Sequence, residues 1–302
     1  MRAVTPSSSP ASRRAARLLV AAGLGLAVTA AVAAPAGAAG TRAIPDPVAD
    51  WGTVIDTEDC VQADAWALRV IKKGGLLADS TSVEARYPSA DGVPSSAQTL
   101  PGEVVDLRVL GVNLHAGQGV GVSSRALGHT RIDASGDPVP QRGAVYAETS
   151  AAMLETGHPY IPGIPGFKDG VQLSPVGVHL ENVKVTAQAE PGKPVAMDVS
   201  SDGGYLSIAG HKIKPLPAVL PPNFGVRVPD DRNLPPLFTA VFNEQVTTDA
   251  KGRPTHHFDP RATSGYANAL HLSILGTHVA DITVGHAAVL RDPARTDKYA
   301  KD

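Results

Sequence analysis

From Glu103 onward, apolar residues recur at every second position in short runs, and Gly or Pro ends almost every run. Val105, Leu107 and Val109 alternate with Asp106 and Arg108. Val176, Val178 and Leu180 alternate with Gly177 and His179, and Val183, Val185 and Ala187 with Lys184 and Thr186. Leu270, Leu272 and Ile274 fall opposite Ala269, His271 and Ser273. A period of two places alternate side chains on opposite faces, so such segments read as half-buried strands. The breaks are turn signals: Asp91-Gly92, Gly136-Asp137-Pro138, Ser201-Asp202-Gly203-Gly204 and Asp249 to Gly252. With 30 Gly and 26 Pro in 302 residues, a fold of long helices is excluded. Val145 to Leu154 suits a helix best, being rich in Ala and Met, and also fits a strand. The expected class is all-β: many short strands, β-sandwich-like or an irregular β-solenoid, with Pro/Gly-rich loops.

The first residues follow a different rule. Arg2, Arg13, Arg14 and Arg17 precede an apolar run from Leu18 to Ala34, and Ala36-Gly37-Ala38 follows it. A basic start, a short apolar stretch and a small-x-small site form a secretory leader. A run of Ala, Val, Leu and Gly is too short and too weakly apolar for a spanning helix. Cleavage near Ala38 is therefore expected. The chain has 27 basic residues; less the four leader arginines, 23 remain against 29 acidic ones, a net of -6. That balance argues against nucleic acid or an anionic bilayer as partner. The expected organisation is a leader over 1–38, a flexible arm over 39–60, and an all-β domain over 61–292. A subdivision is expected near 157–170, and a polar tail over 293–302. No membrane span is expected after leader removal. Cys60 is the single cysteine, so no intrachain disulfide can form, and burial is its ordinary role.

Three segments near the end carry a resemblance. They are Phe242-Asn243-Glu244-Gln245-Val246, Asn268 to Gly276 (Asn-Ala-Leu-His-Leu-Ser-Ile-Leu-Gly) and Ala280 to Ala287 (Ala-Asp-Ile-Thr-Val-Gly-His-Ala). Together, over residues 238–290, they resemble the closing strands of the choice-of-anchor P family of secreted actinobacterial surface proteins. Ala63 to Val70 is a fainter echo of its opening strand. The resemblance implies an extracellular compartment and no assigned chemistry. The chain departs from the family after Asp302, where nothing resembling an anchor follows.

Signatures of standard chemistry are missing from the sequence. Gly-x-Ser-x-Gly, His-Glu-x-x-His, Gly-x-Gly-x-x-Gly before a helix and the Asp-rich calcium loop do not occur. Five of the ten histidines lie between residues 256 and 286: His256, His257, His271, His278 and His286. Adjacent His256 and His257 point apart in a strand, whereas His271 and His286 sit on successive strands and could come together with Asp281. Glu244, flanked by Asn243 and Gln245, is the most interesting carboxylate, though such a run also suits a polar ladder on an edge strand. Glu244, His271 and His286 are the candidate binding residues. No catalytic residue, metal site or cofactor is assigned. Trp66 reads as core, and Tyr160, Tyr205 and Phe224 as a small ring patch.

The expected function is an exported, non-enzymatic structural or adhesive protein of the cell envelope or extracellular space. Its expected partner is a cell-wall glycan or another envelope protein. The alternative is an exported carbohydrate-binding or glycan-hydrolysing domain, which would need a ring platform or two close carboxylates.

Overall fold

A computed structural model describes residues 61–72, 80–89, 93–99, 103–109, 112–156, 160–161, 171–172, 176–208, 211–216, 219–228, 238–274 and 280–296. The described chain is all-β, with many short strands in two irregular, unclosed sheets that pack face to face. The first sheet holds β1 (Val61–Lys72), β2 (Ser80–Ser82), β3 (Ala85–Tyr87), β15 (Phe224–Val228), β16 (Phe238–Thr248), β17 (Ser264–Ile274) and β18 (Ala280–Arg291). Its order is β15-β16-β17-β18-β1-β2, with β3 also on β1. The second holds β4 (Ser96–Gln98), β5 (Glu103–Val109), β6 (Val112–Val120), β7 (Ser123–Ile132), β8 (Pro138–Thr156), β11 (Val176–Ala189), β12 (Ala196–Ser200), β13 (Gly203–Ile208) and β14 (His211–Leu216). Its main path is β14-β13-β11-β8-β6-β5. A separate ribbon pairs β9 (Tyr160–Ile161) with β10 (Val171–Gln172). These described residues fall within one compact unit, Pro45–Asp302. Every named pairing is antiparallel, as hairpin-length connections require.

The segment Val145 to Leu154, expected first as a helix, lies inside the 19-residue strand β8. Packing overrides its helix propensity: Val145, Ala147 and Ala151 face the interior, while Glu148 and Ala152 face outward. Thr81 to Tyr87 divides into β2 and β3, because Val83 adopts φ 53° between them. The Asn-Glu-Gln run is not an exposed polar ladder. It lies just beyond the β15 pairing, which ends at Phe242; Asn223 takes up its outer backbone, and Asn243 and Glu244 are buried. The strands on either side of residues 157–170, β8 and β11, are hydrogen-bonded neighbours. The tail beyond Asp292 opens as a short helical turn, α1 (Pro293–Thr296), capped by the Asp292 side chain, which accepts from the Ala294 N–H.

One backbone device governs both sheets. In β16, Asn243 has φ 48°, and in β18, Gly285 has φ 58°. The ladders skip these residues together with Ala269: Phe242 pairs with Leu270 and Glu244 with Asn268, while His286 pairs with Asn268 and Val284 with Leu270. In β1, Ala67 is skipped in the same row. A left-handed residue between extended segments reverses the alternation of faces, and Asn and Gly adopt that conformation most readily. Hence Ala267 and Ala269 face the interior before the flip, and Leu270 and Leu272 after it. The second sheet repeats the device at Asn182 (φ 46°) in β11, beside Ala152 of β8 and Gly121 (φ 60°). The two rows meet across the interior. A Cβ on Gly285 would lie 3.1 Å from Ala269 Cβ and 3.2 Å from Val185 Cγ2. Thr149 of β8 reaches the same place, its hydroxyl 2.7 Å from the His286 carbonyl oxygen and 3.2 Å from that of Trp66.

Candidate functional site

The flips determine where polar side chains gather. On an unbroken strand, residues on one face are two apart. Across a flip they are three apart, so four neighbouring strands of the first sheet each place an i, i+3 pair on its outer face. These pairs are Trp66 and Arg69, Thr283 and His286, Asn268 and His271, and Val241 and Glu244. The ladder aligns them into two rows. Trp66, His286, Asn268 and Glu244 lie abreast in one, and Arg69, Thr283, His271 and Val241 in the other.

Hydrogen bonds link nearly every member. The Asn268 amide nitrogen donates to Glu244 Oε2 at 2.8 Å, and His271 Nδ1 donates to the same carboxylate at 2.9 Å. The Asn268 carbonyl oxygen accepts from His286 Nδ1 at 2.6 Å. The His286 ring stacks on Trp66, centroids 3.6 Å apart and planes 10° from parallel. Trp66 Nε1 donates to Thr283 Oγ1 at 3.0 Å, and the Arg69 guanidinium sits 4.9 Å over the indole. Tyr266 flanks His286 at 5.7 Å. A cation over an indole and a stack of parallel rings both gain strength when removed from water.

The cluster is closed to solvent. Glu244 is 4% exposed, His271 2% and His286 0%. Burial, reinforced by the charge of Arg69 and by His271, holds the His286 imidazole well below its usual range. It is therefore neutral, with its proton on Nδ1, the nitrogen that donates to Asn268. Its Nε2 is buried with no hydrogen-bond partner. On the same face, Asp64 binds Arg86 through Oδ2 at 3.0 Å, and burial lifts its carboxyl to about 7 against the pull of that guanidinium.

The structure brings the three sequence candidates into one network, but with different partners from those expected. His271 and His286 do not pair with each other, since Asn268 stands between His286 and Glu244. His271 pairs across β18 with Thr283, and Asp281 stands opposite Ser273. Glu244 takes the position beside His271 that Asp281 was expected to hold. Trp66 is buried, as expected, but in this polar layer rather than among the apolar residues between the sheets. His256 and His257 are exposed in the loop after β16. Tyr205 and Phe224 lie on different sheets: Tyr205 stacks on His179 at 4.7 Å, and Phe224 packs against Phe242. Cys60, Trp51 and His278 lie outside the described residues, as do the side chains of Tyr160, Asp106 and Asp281.

Sequence reasoning missed Asn268, Trp66, Arg69 and Thr283 as members. Their signal was the three-residue spacing Trp66-x-x-Arg69, Asn268-x-x-His271 and Thr283-x-x-His286, recurring on paired strands. Chemically, the arrangement holds one acid–base pair, Glu244 with His271, fixed by Asn268. Among the described residues, no group of three or more His, Cys, Asp or Glu side chains is placed to hold a metal ion. No helix among them is long and apolar enough to cross a membrane. No protein-family model matches the chain, and neither a curated protein nor a solved structure matches it.

Proposed function

We propose that this chain is an exported, non-enzymatic structural or adhesive protein of the cell envelope or extracellular space. The observation that supports a structural role most directly is the closure of the Glu244–His271–Asn268–His286 network. The side chains best suited to acid–base work are spent on one another, tying three strands together, at 4% exposure or less. A general base must reach a substrate proton within hydrogen-bonding distance, and a closed layer offers no such approach. The basic, apolar, small-residue order of residues 1–38 supports export. The resemblance over 238–290 to choice-of-anchor P proteins supports a surface location.

The test is expression of the full chain in a secreting host, followed by fractionation and mass measurement. The expected product lacks the leader to about Ala38, is recovered from the medium or envelope, and releases no sugar from envelope glycans. An intact chain retained in the cytosol, or glycan release lost in Glu244→Gln, would overturn the proposal.

A further inference from the structure

We infer that the loop between β16 and β17, residues 249–263, is a docking site for an acidic saccharide; this names the partner implied by the adhesive function and rests on it. The loop is braced from both ends. Asp249 accepts from the N–H groups of Lys251 and Arg253, each at 2.9 Å, and grips the Arg253 guanidinium at 2.7 Å. Thr247 is 1% exposed, yet its hydroxyl accepts from the Asp259 N–H at 3.0 Å and lies 2.6 Å from the Thr255 hydroxyl. Asp259 Oδ1 accepts from the Arg261 N–H, and the Ala262 carbonyl accepts from the N–H of Val195, just before β12, at 2.7 Å.

On this frame six successive residues, His256 to Arg261, stand exposed, and Phe258 is 58% exposed. A single exposed apolar side chain needs no function. Val219, 83% exposed, is of that kind, since Leu220, Pro221 and Pro222 beside it offer no side-chain donor. Phe258 differs in its company. The side chains of Lys251, His256, His257 and Arg261 make no hydrogen bond or ion pair with another described residue. Arg253, by contrast, is paired with Asp249 through Nε and Nη2. An exposed ring that shares its loop with these donors fits one pyranose: the ring takes the C–H face, and the imidazoles and cations take hydroxyl and anionic groups. Lys251 and Arg261, unpaired among the described residues, outnumber the Asp259 carboxylate, which favours an acidic sugar. Six residues are too few for a protein interface of ordinary size, and the pre-formed loop lowers the ordering cost of binding.

Affinity electrophoresis of the full chain tests this in gels containing polygalacturonate, a phosphomannan, or methyl-esterified polygalacturonate as the neutral control. The expected result is retardation by at least one acidic polymer and less by the ester. Phe258→Ala should weaken it about tenfold, as should Lys251→Ala with Arg261→Ala, with unfolding midpoints unchanged. No retardation by either acidic polymer, equal retardation by the ester, or a Phe258→Ala variant retarded like the parent would overturn the inference. The two proposals fail separately. Envelope recovery undisturbed by Phe258→Ala removes the loop assignment alone, whereas cytosolic retention removes the adhesive function itself.

Discussion

The outer faces of the two sheets carry similar residues and treat them in opposite ways. On the second sheet, Glu148, its side chain 16% exposed, lies at the centre of Tyr146, Arg125 and Lys184, at 2.5, 3.6 and 3.2 Å, and the two cations reach water at 33% and 54% exposure. Further along the same pair of strands, His179 meets Glu181 at 3.2 Å, with Glu181 57% exposed. On the first sheet, Glu244 and His271 make a comparable pair at 5% and 2% side-chain exposure. Water screens the first kind of contact and leaves it a small net value. Without water, each buried partner is costly to leave alone, so the pair becomes obligatory. The same residue types thus mark a wet surface on one sheet and a structural layer on the other.

The contrast can be broken in graded steps. Trp66→Ala should cost most, about 3–5 kcal/mol, because it removes the indole beneath Arg69, the stack on His286 and the bond to Thr283. Urea unfolding measures this, and a loss below about 1 kcal/mol would place the face in water. Glu244→Ala should cost about 3 kcal/mol, since it leaves His271 and the Asn268 amide without their shared acceptor. The matched Glu148→Ala should cost less, about 1–2 kcal/mol, because Arg125 and Lys184 turn to water and only the Tyr146 hydroxyl loses its acceptor. Equal losses in that pair would erase the distinction. Gly285→Ala should cost about 2–3 kcal/mol, combining left-handed strain with contact against Ala269 and Val185. Asn243→Ala tests the same row at the edge, where Asn243 Nδ2 donates to the Leu220 carbonyl at 2.7 Å.

The smallest effect is a pH dependence with two opposing parts. The folded-state value of His286 lies below its ordinary 6.5, so the stability it contributes is complete above that pH and lost as the pH falls. The folded-state value of Asp64 is raised from 3.8 to about 7, so its contribution is complete at acid pH and lost as the pH rises through 7. Below about pH 6.5 the two contributions run in opposite directions and offset one another. Asp64→Asn should uncover the acid loss, so that the variant loses stability more steeply than the parent as the pH falls. A variant no steeper than the parent would show that Asp64 is not the compensating group.

Much of the architecture was legible from alternation alone. The alternation of Val176 to Ala187 falls within β11 (Val176–Ala189), and that of Ala269 to Ile274 within β17 (Ser264–Ile274). Period-two patterning succeeds there because one face of each strand packs on the opposite sheet. It fails at the flips. Ala269 was assigned to the face of His271, yet it packs inward with Leu270, because Asn243 and Gly285 shift the phase of the whole row. At Asn182 the shift does show, since the apolar spacing steps from two to three between Leu180 and Val183; at Ala269 a small side chain beside Leu270 hides it. Glu244, His271 and His286 were recognisable by residue type and by lying on neighbouring strands. Their actual connector, Asn268, and their stacking partner, Trp66, depended on a register that only the flips reveal.

The state of His286 tests the closed layer most directly. Nitrogen-15 NMR of the imidazole, followed from about pH 8 to about pH 5 in the folded chain, reads both its charge and its tautomer. A closed network predicts a ring that stays neutral throughout, with the proton on Nδ1 and a bare Nε2. A titration centred near the ordinary value of 6.5, or a proton resident on Nε2, would contradict it.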